Sequence, residues 1–330
     1  MKKPIFIVGE GRSGTTTLRN IIAEHPNIWG VDRESYLFVE NWPQANPFFK
    51  EYENNFQRLL LSVFVSIKRV GLNAHKIIRS KALPEDIKNE LDQFKESVEY
   101  AKLKKYFKKT EKIDRFEIFD AISNYYCKKL KKNRFIEKTP YHLYCVREIL
   151  TNYPNAKIIA LYRDPRAVCA SWLKLDNLKN LLGVCLSWNK AMREIKELKS
   201  ELSEDQLKIV RFEDLISEPE TTLRSICNFI EEDFTSKLLE LGNKSNSSYE
   251  SDRKETGFRV NSLKRWQEVL SNKQVALINL ICSKFYSDFD IENYPNKLKP
   301  LEVLYMPLFI SLEPIKLITV KLKKLISRYI

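Results

Sequence analysis

Arg12, Glu34, Lys138, Arg163 and Ser171 are the residues through which this chain could do chemistry. The stretch from Pro4 to Leu18 reads PIFIVGEGRSGTTTL. Its apolar run Ile5 to Val8, bounded by Pro4 and Gly9, has the pattern of a strand buried on both faces. Gly9 to Gly14 then forms a turn that glycines let the backbone follow closely. From Thr15 a helix is predicted, with Leu18, Ile21 and Ile22 at helical spacing. Strand, glycine loop and helix N-terminus together make an anion site, because successive N–H groups converge where the helix dipole favours negative charge. Gly11, Arg12, Ser13, Gly14, Thr15 and Thr16 are the residues expected to line it. Arg12 supplies a cation, and Thr15, Thr16 and Thr17 supply hydroxyls.

A second junction repeats this geometry with more charge. Lys157 to Tyr162 (KIIALY) is the clearest buried strand. Arg163-Asp164-Pro165-Arg166 turns out of it into a helix that carries Ser171, so Arg163 and Ser171 can address one phosphate. Glu34 follows a short strand, Ile28 to Val31, at the carboxyl edge where open α/β sheets bind ligands. That position makes it a candidate general base. Lys138 ends another short strand, Arg134 to Lys138, and His142 lies just beyond it. His142 is the rival base, since imidazole titrates closer to neutrality.

The first loop keeps the G-x-x-x-x-G spacing of a nucleoside-triphosphate loop but has Thr15 where that loop needs Lys. The lysine that would reach the β- and γ-phosphates is missing, and the cation has moved to Arg12. G-x-x-R-S-G-T-T-x-L resembles the 5′-phosphosulfate loop of sulfotransferases that use 3′-phosphoadenosine 5′-phosphosulfate (PAPS). R-D-P followed by Ser171 is similar to their 3′-phosphate motif. R-E-x-x-x-F (Arg33 to Phe38) resembles the segment with the catalytic carboxylate in glycan-type members, and E-K-T-P (Glu137 to Pro140) their turn near the reacting sulfate. A basic, glycine-bearing stretch, Thr256 to Arg259, loosely resembles the segment that closes over PAPS. The resemblance implies Glu34, Arg12 and Lys138 as catalytic groups. It also implies Gly11 to Thr16, Arg163, Ser171 and Arg259 as cofactor-binding residues, with no metal. The activity it implies is sulfuryl transfer from PAPS to a hydroxyl or amine of a glycan, lipid or small-molecule acceptor, releasing adenosine 3′,5′-bisphosphate.

These motifs must be held by a parallel, P-loop-like α/β sheet flanked by helices. Residues 1–300 are read as a single such domain, with a charged helical insertion at about 42–131 that covers the site and shapes the acceptor pocket. Within the insertion, Phe56, Leu59, Leu60, Val63, Phe64 and Ile67 form an apolar stripe. Asn243 to Glu255 reads as a polar, mobile loop. Residues 301–330 form a basic amphipathic tail suited either to an anionic membrane surface or to docking on the domain or a second subunit.

Composition sets the frame. With 330 residues and 43% hydrophobic content, the chain can bury a large core. Its net charge of +13 suits acidic ligands, anionic membranes or nucleic acid, but charge alone selects none of them. Six cysteines without a C-x-x-C pair read as reduced core residues. Three histidines do not suggest a metal site, and His25 reads as structural. The N-terminus enters a core strand after two lysines, so a cytosolic protein is expected, with peripheral membrane attachment through the tail as a variant; no nucleic-acid partner is expected. A P-loop kinase and a non-enzymatic basic membrane-surface module are the alternatives. The first lacks its lysine, and the second leaves the two phosphate turns without a purpose.

Overall fold

The computed structural model describes residues 3–38, 56–68, 84–110, 114–175, 180–240 and 257–295. Five strands form one parallel sheet: β1 (Ile5–Gly9), β2 (Ile28–Gly30), β3 (Arg134–Lys138), β4 (Lys157–Tyr162) and β5 (Leu207–Arg211). Their order is β2-β3-β1-β4-β5. β1 is therefore central, paired with β3 on one side (Ile7 opposite Lys138) and β4 on the other (Gly9 opposite Leu161). The connection from β1 runs to β2 on one side while β4 and β5 add on the other. That divergence opens a crevice at the carboxyl end of β1.

The strands read as continuous apolar runs because both faces are covered. Phe6 and Val8 point into one core with Phe135, Ile158 and Ala160. Ile5 and Ile7 point into a second with Ile136, Ile159 and Leu161. This is the strand alternation applied to a two-sided burial.

The second face is closed by α1 (Thr15–Ala23), which buries Leu18, Ile21 and Ile22 as its periodicity predicts. Between β2 and β3 the chain forms four helices among the described residues: α2 (Phe56–Lys68), α3 (Glu85–Lys95), α4 (Val98–Thr110) and α5 (Arg115–Lys129). They account for the helical insertion, and Phe56, Leu59, Leu60, Val63 and Phe64 of the expected stripe are buried in the first core. After β3 the predicted helix begins instead as a 3₁₀ turn, Pro140–Cys145, and becomes α-helical only in α6 (Val146–Asn152).

Beyond β4 come α7 (Pro165–Leu175) and α8 (Leu181–Glu201). Beyond β5 come α9 (Phe212–Ser217), α10 (Pro219–Phe229), α11 (Trp266–Val269) and α12 (Asn272–Cys282). All six cysteines are free thiols, five of them buried. No helix among the described residues is long and apolar enough to cross a membrane. The tail 301–330, the loop Asn243 to Glu255 and parts of the insertion lie outside the described residues.

Candidate active site

The glycine loop is built around two backbone conformations that side chains resist. Gly9 has φ +152°, and a Cβ there would lie 2.2 Å from the carbonyl oxygen of Leu161 on β4. Gly14 has φ +94°, and a Cβ would lie 2.1 Å from the Phe212 ring. Arg12 adopts φ +71°, an unusual conformation for a side-chain-bearing residue, held within the turn by the Ser13 amide bonding the Glu10 carbonyl at 3.2 Å.

At its N-terminus α1 has no side-chain cap and no acidic residue in its first turn. The leading amides of a helix lack intrahelical acceptors. Ser13 adds a fully buried hydroxyl with no hydrogen-bond partner. Uncapped amides, a solitary buried hydroxyl and the Arg12 guanidinium form a donor set that fits a phosphate or phosphosulfate group. Thr15 is buried beside them, and Thr16 and Thr17 are half-buried.

The second junction converges on the same loop. The Arg12 Nε donates to Ser171 Oγ on α7 at 3.1 Å, and Arg163 Nη1 donates to the Arg12 carbonyl at 3.4 Å. Arg163 also lies over the Phe212 ring, 4.5 Å from its centroid, the same ring that packs against Gly14. Its backbone is fixed by Trp188, whose indole N–H donates to the Arg163 carbonyl at 2.9 Å. The neighbouring residues of R-D-P-R do architectural work. Asp164 accepts from the Arg166 amide at 2.8 Å, capping α7, and pairs with the buried Arg166 guanidinium at 2.6 Å. Arg166 in turn lies 4.8 Å over Trp266. Burial first, then the neighbouring Arg163 cation, lowers the Arg12 pKa, with Glu34 opposing.

Glu34 and Lys138 meet at the end of β3, beside β1 and within electrostatic reach of Arg12. The Lys138 ammonium is buried and bonds the Glu34 carboxylate, which is about 30% exposed and also accepts from the Tyr36 hydroxyl. Burial lowers the Lys138 pKa, and Glu34 counters it. Tyr36 is raised, first by burial and then by Glu34, so it stays a phenol donor.

His142 is placed differently from its rival. It is fully buried; its Nδ1 bonds Glu137 Oε2 at 2.9 Å and its Nε2 accepts from the Phe38 amide at 3.4 Å. Both ring nitrogens are therefore engaged behind the crevice. His25 is likewise buried in a turn, bonded to the Asp233 carbonyl and the Asn27 amide.

Arg259 opens a 3₁₀ turn, Val260–Lys264, and its carbonyl accepts from Ser262. The flanking Phe258 and Leu263 pack on the core that contains Phe212, which brings this segment beside the glycine loop.

Several site residues carried no motif. Arg19, one turn into α1, reaches the Asp32 carbonyl at 2.8 Å and lies in the field of Glu34 and Glu137. Tyr141 and Trp172 flank Gly11. Glu10 is buried and accepts from Ser187 of α8 at 3.1 Å. The local signals were the helical i, i+4 offset from Thr15 to Arg19, the place of Glu10 inside the glycine loop, and the adjacency of Tyr141 and Trp172 to Pro140 and Ser171. Among the described residues, no group of three or more His, Cys, Asp or Glu is arranged to hold a metal ion.

Comparison with known proteins adds a name to the geometry. A model described as the sulfotransferase family matches residues 4–236. A Caenorhabditis elegans protein named "Putative protein-tyrosine sulfotransferase" is 28% identical over 135 residues, covering 37% of this chain and 52% of that protein. The Caenorhabditis briggsae protein of the same name is 27% identical, covering 37% and 48% respectively. The chain thus spans about half the length of the curated relatives it matches.

Among solved structures, the sulfotransferase domain of the Synechococcus PCC 7002 olefin synthase superposes with a TM-score of 0.57 at 21% identity, over 89% of this chain and 98% of that domain. The sulfotransferase domain from the curacin biosynthetic pathway gives 0.56 at 17% identity, over 89% and 99%. These two likenesses concern the fold. With the family model spanning β1 through α10 and both strand–turn–helix junctions, the chain belongs to the sulfotransferase family.

Proposed function

We propose that this chain transfers a sulfuryl group from PAPS to a hydroxyl or amine of an acceptor, releasing adenosine 3′,5′-bisphosphate. The observation that carries the reading is the convergence of two strand–turn–helix junctions on Arg12, with the Glu34–Lys138 pair at the end of the neighbouring strand β3. The α1 amides and Ser13 would hold the 5′-phosphosulfate, while Arg163 and Ser171 would hold the 3′-phosphate, with Arg259 beside them. When bound, PAPS supplies the activated sulfuryl group and a leaving phosphate on which negative charge builds.

Arg12, partly desolvated, would stabilise that charge. Glu34 would take the acceptor's proton, a role worth roughly 10²–10⁴ in rate. Lys138 would balance the charge around it. Phenolic hydroxyls join the glycan, lipid and small-molecule acceptors as candidates, because two relatives are named for protein tyrosine.

The test is incubation with ³⁵S-labelled PAPS and separate pools of tyrosine peptides, phenols, glycans and lipids. Label should move into one pool with adenosine 3′,5′-bisphosphate appearing in equal amount. Steady hydrolysis of ATP with Mg²⁺, and no label transfer to any pool, would favour the kinase-like alternative instead.

A further inference from the structure

Glu137 is the most heavily bonded acid near the crevice, and no role in binding or transfer falls to it. It sits on β3 beside Lys138 and is fully buried. Its Oε1 accepts from the Ser35 amide at 3.1 Å, the Ser35 hydroxyl at 2.8 Å and the Thr139 hydroxyl at 2.6 Å. Its Oε2 accepts from His142 Nδ1 at 2.9 Å. Burial alone would raise the pKa of this acid, but His142 and the hydroxyl donors outweigh burial and hold it below the usual carboxylate value.

The register of these bonds matters. Successive strand residues point to opposite faces. Glu137 therefore grips Ser35 from one face of β3 while Lys138 grips Glu34 from the other. The same turn is fastened twice more: the Tyr36 amide bonds Thr139 Oγ1 at 3.3 Å, and buried Arg115 bonds the Leu37 carbonyl at 2.7 Å. His142 closes the arrangement by bonding Phe38.

We infer that Glu137, braced by His142, is the positioning residue that locks the Glu34 turn onto the end of β3 and so sets where the Glu34 carboxylate lies. This rests on the reading of Glu34 as the base. Glu137→Gln offers one acceptor oxygen where the carboxylate offers two, so at least one donor faces an NH₂ group. A base displaced by about an ångström loses on the order of 100-fold in rate.

The expected result is a fall in kcat of at least about 10-fold, with adenosine bisphosphate affinity unchanged and faster deuterium uptake in the peptide 31–38. The kcat loss should vanish in a Glu34→Gln background, because a base already removed cannot be misplaced. Ser35→Ala, which deletes a single hydroxyl donor, should shift both readouts the same way by less, and carries the test if Glu137→Gln fails to fold. Equal losses of kcat in both backgrounds, or unchanged exchange at 31–38, would overturn the positioning role. If Glu34→Gln alone leaves kcat intact, the assignment of the base fails, and exchange at 31–38 then decides separately whether Glu137 holds the turn.

Discussion

Glu34→Gln should lower kcat by at least about 100-fold while the affinity for adenosine 3′,5′-bisphosphate stays within about two-fold. The amide can still accept from Tyr36, but it cannot take a proton. Lys138, buried and paired with Glu34, loses its counter-charge at the same time, so some loss of stability accompanies the loss of rate. Initial rates at saturating donor, set beside calorimetric titration of the product nucleotide, separate the two effects. His142→Gln should cost far less in rate, because that ring lies behind the crevice with both nitrogens bonded. A larger rate loss from His142→Gln than from Glu34→Gln would reverse the assignment of the base. An unchanged rate in both variants would point to an acceptor that arrives already deprotonated.

Arg12→Ala should lower kcat by about 10²–10³, the range seen when one donor to a developing oxyanion is removed. The guanidinium is partly buried, and Arg163 lowers its pKa further, so its charge acts in a poorly solvated setting. Arg12→Lys keeps the charge but cannot reproduce the Nε bond to Ser171, and should recover only part of the rate. Single-turnover measurement with saturating PAPS reads this step apart from product release. A variant that loses affinity but keeps the single-turnover rate would make Arg12 a binding residue only.

The two strand–turn–helix junctions were legible because they are local. Gly9 and Gly14 stand where the backbone turns against Leu161 and Phe212, and glycine spacing reports such turns directly. The strands were legible because burial on both faces leaves unbroken apolar runs such as Ile5 to Val8. The Glu34 turn was only half legible. Its position after β2 showed in the sequence, but its anchor, Glu137, is 102 residues from Ser35, and no local pattern encodes that meeting. The surroundings of His142 were hidden for the same reason, since its bonds to Glu137 and Phe38 and its burial depend on the packing of distant segments. Arg19 and Glu10 drew no reading from the sequence, because the groups that engage them, the Asp32 carbonyl and Ser187 of α8, lie 13 and 177 residues away in the chain.

Calorimetric titration of the intact chain with adenosine 3′,5′-bisphosphate and with AMP, which differ only in the 3′-phosphate, tests the central claim most directly. The bisphosphate should bind at least about 10-fold more tightly, since charged hydrogen bonds contribute roughly 1.5–3 kcal/mol each. Arg163→Ala should bring the two affinities together by weakening only the bisphosphate. Equal binding of both nucleotides to the native chain, or no binding of either at millimolar concentration, would contradict a PAPS site at this crevice.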